Sequence, residues 1–155
     1  MGTTAHLWIE DSQGSWVKGN SQILSREHSI ELLSIEHHLH SSFDTDNGQS
    51  TSPRKHSPFT IMKKLDQSTP FLNKACCNGE RLSKAEILLY RINESGHEEP
   101  YFRYLFQNLK VASVTPLIHC SIDAADCERI SLIYKTIRWE YIDGNYAHED
   151  DWNQR

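Results

Sequence analysis

Two segments of this chain carry apolar residues at every second position and then change phase partway, a strand pattern interrupted by a bulge that a helical period does not produce. From Ile30 to Leu39 the apolar positions are Ile30 and Leu32, then Leu33, Ile35 and Leu39. From Ile130 to Tyr141 they are Ile130, Leu132 and Tyr134, then Ile137, Trp139 and Tyr141. Segments that long, with alternation on both sides of a slip, commit the chain to a sheet that curves.

The remaining elements fit the same plan. Leu7 to Glu10 ends at the turn cluster Asp11-Ser-Gln-Gly14, and Trp16-Val-Lys18 returns as a second hairpin arm before Gly19-Asn20 breaks it. Phe59 to Leu65 reads as a strand. Ala85 to Ile92 and Tyr101 to Val111 flank Asn93-Glu-Ser-Gly96 as a long antiparallel hairpin, whose second arm extends over Val114 to Ile118. One helix is signalled, with Thr69 as N-cap, Pro70 at its first position and Gly79 beyond its end. Phe71, Leu72, Ala75 and Cys76 share one helical face, which should lie on the sheet. The expected fold is mainly β: an antiparallel β-barrel of two packed sheets with one short flanking α-helix, as a single domain over residues 1–155.

Asp44 to Ser57 contains no apolar residue, and a loop of that length in a compact domain is usually functional or disordered. It is read as an extended contact loop over 44–57. The chain closes with a short polar tail over 146–155, in which Trp152 would be wasted unless it docks on the barrel or on a neighbouring copy.

Composition limits the function classes. Apolar residues make up 37% of the 155, charged residues 24%, and the net charge is -5, which suits a folded domain and not a nucleic-acid binder. No window approaches the roughly 20 apolar residues of a membrane helix, so membrane insertion is not expected. The opening residues lack the charged-then-apolar pattern of a secretory signal, so the protein is expected to stay soluble in the cytoplasm unless a dedicated machine exports it.

Catalytic chemistry finds no footing. His38 and His40, two apart on a strand, point to one side and would supply two metal ligands, but no further donor is identifiable, and His119-Cys120 with Cys127 fares no better. Cys76 and Cys77 lie near the C-terminal end of the helix, away from the positive field that activates a thiol. Glu98-Glu99 and Glu149-Asp150-Asp151 read as solvated surface. No catalytic residue, metal site or cofactor is therefore assigned. The competing reading is a monomeric metal- or thiol-dependent enzyme, or a small secreted toxin, built around His37, His38, His40 and the cysteines.

Several segments taken together resemble the Hcp family, the haemolysin co-regulated proteins of bacterial type VI secretion. They are His6-Leu-Trp-Ile-Glu10, Val17-Lys-Gly19, Ser29-Ile-Glu-Leu-Leu33, His56-Ser-Pro-Phe59, Asp66-Gln-Ser-Thr-Pro70, Leu89-Tyr-Arg-Ile92, Ile137-Arg-Trp-Glu-Tyr141, Asp143-Gly-Asn145 and Asp151-Trp152. Departures include Cys76-Cys77, Leu89 and His28, which stands where a Gly would be usual.

The resemblance implies a structural subunit that assembles into homo-hexameric rings stacked as an inner tube. The implied partners are other copies, the spike, sheath and baseplate components, and small effector proteins held in the lumen. It also implies a cytoplasmic assembly stage followed by export to the extracellular space or a target cell. Ser34, Glu36 and His38, the polar side of a strand whose other side is apolar, are the expected lumen wall. Asp44, Asp46, Asn47, Gln49, Arg54, Lys55 and His56 are the expected loop contacts to a ring or subunit, and six copies would carry a charge of roughly -30 that only local complementarity overcomes.

Overall fold

The computed structural model describes residues 3–118 and 126–152. Its elements in chain order are β1 (Thr4–Glu10), β2 (Trp16–Val17), β3 (Ile30–Glu36), β4 (Leu39–His40), β5 (Lys55–His56), β6 (Phe59–Lys64), α1 (Thr69–Asn78), β7 (Leu82–Ile92), β8 (Glu98–Leu117), β9 (Cys127–Tyr141) and β10 (Tyr146–Asp151). The main sheet runs β10-β9-β6-β3-β1-β7-β8, and β8 pairs again with β9, so six antiparallel strands close a barrel. Closure removes the open edges that a sheet of this size would otherwise expose.

The phase slip in β3 is a bulge. Leu32 pairs with Lys63 and Ser34 with Met62, which leaves Leu33 between two ladder positions and half exposed. The slip in β9 has a wider cause. Buried positions shift from Leu82 to Ala85 in β7, from Leu109 to Phe106 in β8 and from Tyr134 to Ile137 in β9. Leu82 pairs with Leu109 and Leu109 with Tyr134, while Ala85 pairs with Phe106 and Phe106 with Ile137. Three neighbouring strands therefore change phase at one level, as a curved barrel wall needs to keep its apolar face inward. In β8 the change is made at Asn108, whose φ of 54° lies in the left-handed region that Asn tolerates better than most residues.

Leu7, Ile30, Phe59, Ile61, Ile87, Phe106, Ile130 and Ile137 fill the barrel. The helix lays Leu72 and Ala75 on it, with Phe71 and Cys76 packed beside them. The N-cap is Ser68 instead of Thr69, and its side chain makes no capping bond. Thr69 is used elsewhere: its hydroxyl donates to Glu128 Oε1 at 3.0 Å and accepts from Lys63 Nζ at 3.3 Å. Gly79, at φ 61°, ends the helix as expected. Lys63 occupies the inward phase of β6 and is fully buried, its Nζ 2.7 Å from Glu128 Oε1 and 2.9 Å from Asp66 Oδ1.

Two expectations change. The polar tail is for the most part a strand: Tyr146 to Asp151 pairs with Tyr141 to Thr136 after a turn with positive φ at Gly144 and Asn145. All six residues of β10 are polar or small, so no alternation marked it. The loop over 44–57 is likewise closed at its base, where β5 pairs with β4, and Asp44 and Gln49 form an inner turn with Asp44 N donating to Gln49 O at 2.8 Å.

Candidate assembly surface

β9 is served by β8 along its whole length, but its other edge is divided. Its first part, Cys127 to Leu132, pairs with β6, and its last part, Thr136 to Tyr141, pairs with β10. Tyr134 sits at the gap between them, and the polar groups that fill this gap fix both the loop and the C-terminal strand.

Asp150 is the hub. Arg54 makes a two-pronged contact with it, Nη2 to Oδ1 at 2.7 Å and Nε to Oδ2 at 3.0 Å, and Nη2 also donates to Asp151 O at 2.8 Å. Such a paired geometry is the strong form of an Arg–carboxylate contact. The hydrogen bond from Arg54 holds the Asp150 carboxyl below its ordinary value, with His56 adding to the effect.

His56 Nε2 lies 2.7 Å from Asp150 Oδ2, and a carboxylate only accepts, so Nε2–H is the donor. In the neutral imidazole Nδ1 then accepts from the Tyr134 hydroxyl at 2.6 Å, and the Tyr134 oxygen also lies 2.8 Å from His37 Nε2. His37, Tyr134, His56 and Asp150 thus form one continuous hydrogen-bonded chain. Burial lowers the His37 pKa to about 4, with the nearby His56 adding to the shift. Burial also raises the Tyr134 hydroxyl, so it remains a donor throughout the ordinary range.

Trp152 closes the cluster by stacking on the His56 ring at 5.6 Å between centroids and 16° between planes. His148 stacks on Trp139 in the same way, at 5.8 Å and 11°. Loop 44–57, strand β10 and Trp152 are thus held as one unit on the barrel.

The expected contact residues separate accordingly. Ser34, Glu36 and His38 are all exposed, and His38 lies just beyond the end of β3, its N–H donating to Ser57 Oγ at 3.0 Å. Asp46, Asn47, Gln49 and Lys55 are exposed on the loop, whereas Asp44 is half-buried and its Oδ1 accepts from Asp46 N at 2.8 Å. His56 differs: it is 4% exposed, with both ring nitrogens committed inside the chain, because it sits at the gap in β9 and not on the loop surface. Arg54 is engaged by Asp150 and no longer a free cation. Reasoning from sequence missed Tyr134, His37 and Asp150 as partners, since these contacts join residues nearly a hundred apart.

The alternative chemistry gains little from the geometry. The His38 and His40 rings are 5.9 Å apart, and no group of three His, Cys, Asp or Glu side chains among the described residues is placed to hold a metal ion. Cys77 is exposed, Cys76 partly buried and Cys127 buried, while His119 and Cys120 lie outside the described residues. Among the described residues no helix is long and apolar enough to cross a membrane.

The family model described as "Type VI secretion system effector, Hcp" matches residues 6–141. The chain belongs to the Hcp family. It is a structural protein of the type VI secretion system, not an enzyme.

A "Major exported protein" of Pseudomonas aeruginosa is 28% identical to this Hcp chain over 154 residues, covering 96% of the chain and 87% of that protein. The solved structure of a variant Hcp1 protein from E. coli EAEC 042 is 38% identical, with a TM-score of 0.89 and coverage of 96% of this chain and 98% of that one. Secreted protein Hcp3 of Pseudomonas aeruginosa, at 22% identity, shares the fold with a TM-score of 0.80 over 99% of this chain and all of its own. The Hcp match covers both β3 and the loop but ends before β10 and Trp152.

Proposed function

We propose that this chain is a tube subunit of a type VI secretion system: six copies close into a ring, rings stack, and the contractile machine exports them, with small effector proteins able to ride in the lumen. The family membership carries this reading. The molecule's surface supports it, because a closed barrel has little sheet edge left for other purposes, and the organised surface lies instead in the loop and in the polar row Ser34, Glu36 and His38. On this reading that row lines the lumen, and the loop residues Asp44, Asp46, Asn47, Gln49 and Lys55 meet a neighbouring copy. Spike, sheath and baseplate components are the further partners, and assembly precedes export.

Light scattering of the purified protein tests it. The expected mass is six times that of one chain, or a multiple of that in stacks. A well-folded protein with the mass of a single chain at high concentration contradicts it.

A further inference from the structure

On the outer wall beside Trp152, a groove is lined by Arg81, Asn108, Lys110, Ile133, Lys135 and Trp152. Arg81 and Lys135 are exposed, Lys110 is half-buried, and none of the three cations has an ion-pair partner among the described residues. No acid lines the groove. In a chain with a net charge of -5, three unneutralised cations around an apolar floor of Ile133 and Trp152 are a local reversal of sign. Trp152, 36% exposed, offers a ring face on its outer side while its other contacts are to His56 and Tyr134.

One exposed segment of the same chain has the matching features. Phe43 is 63% exposed and is followed by half-buried Asp44, whose Oδ1 accepts from Asp46 N at 2.8 Å, and by exposed Asp46; neither acid has an ion-pair partner among the described residues. The turn that presents them is fixed by Gly48 N donating to Asp44 O at 2.8 Å and by the Phe43 bridge to Ser50. Its base is pinned by Arg54 to Asp150, so a docking partner meets an ordered knob with little ordering cost.

We infer that the basic groove of Arg81, Lys110 and Lys135 receives the acidic Phe43–Asp46 knob of a second copy of this chain. Two different surfaces on one chain make a heterologous contact, the kind that repeats from copy to copy and closes into a ring or continues as a stack. This inference rests on the proposed self-assembly and specifies one of its contacts. Being charge-driven and partly exposed, the contact weakens as salt screens it.

Charge reversal on each side, alone and together, tests the pairing by assembly mass at low salt. Arg81→Glu with Lys135→Glu, and separately Asp44→Lys with Asp46→Lys, should each weaken assembly roughly tenfold or more, since like charges then face each other. The quadruple variant should recover the parent's assembly. Circular dichroism and the unfolding midpoint confirm that each variant folds. If the groove variant assembles as the parent does, or if the quadruple variant fails to recover, the pairing is wrong while self-assembly stands. If the parent itself is monomeric, the proposed function fails first.

Discussion

At the scale of single residues, the strongest constraint is the buried charge around Lys63. Its ammonium lies within 2.9 Å of both Glu128 and Asp66 and also donates to Lys64 O at 2.9 Å, so three elements, β6, the start of α1 and β9, meet at one cation. Lys63→Met leaves two buried acids uncompensated and should destabilise the fold by about 3–5 kcal/mol. Adding Glu128→Leu to that variant should recover part of the loss, as read from denaturant midpoints. The alternation Phe59, Ile61, Lys63 puts Lys63 on the inward side of β6 and leaves Lys64 outside. His37 gives a second residue-level outcome. Its pKa falls to about 4 in the folded chain, so between the ordinary histidine value near 6.5 and 4 the unfolded chain binds more protons than the folded one. Stability therefore rises with pH across that window. Asp150, whose carboxyl is held down by Arg54, acts in the same direction at still lower pH, its contribution being lost as the folded group is protonated. Measured unfolding midpoints should climb from pH 4 to 6.5, and His37→Gln should flatten that climb.

Elements show which parts of the fold were legible and which were not. Most strands, the hairpin around Gly96 and the helix were readable because each carries its own period and its own stop signals. The bulge at Leu33 was readable for the same reason: a missed beat in an otherwise regular alternation. The slip in β9 looked like a second bulge of that kind. It is instead one part of a change shared with β7 and β8, and only the pairing of the three strands reveals it. Asn108 is where that change is forced on the backbone, so Asn108→Val should cost about 1–2 kcal/mol while Asn108→Gly keeps the fold's stability, as thermal unfolding would show. Strand β10 was illegible because nothing in Tyr-Ala-His-Glu-Asp-Asp alternates. It is held by its ladder to β9, by His148 on Trp139 and by Arg54 on Asp150. Arg54→Ala should therefore loosen both the loop and β10 at once, seen as faster amide exchange in 44–56 and 146–151 together, while the barrel strands keep their protection.

For the whole molecule, the barrel is closed and its core filled, and the loop, the anchored C-terminal strand and the polar row of β3 lie outside it. The location of the loop and of the row could be read from sequence because each is a contiguous run of polar residues or a clean two-residue period. The anchoring of the loop could not, since His56, Tyr134 and Asp150 come from three separate strands and His37 from the link between β3 and β4. Membership of the Hcp family rests on a match that spans residues 6–141, and the Arg54–Asp150 contacts with the Trp152 ring on His56 tie the loop and the C-terminal strand to the barrel. Electron microscopy of the purified protein tests the central claim most directly. The account predicts six-fold rings with an open centre, alone or stacked end to end. Uniform small particles without a central opening, at every concentration and salt tried, would contradict it.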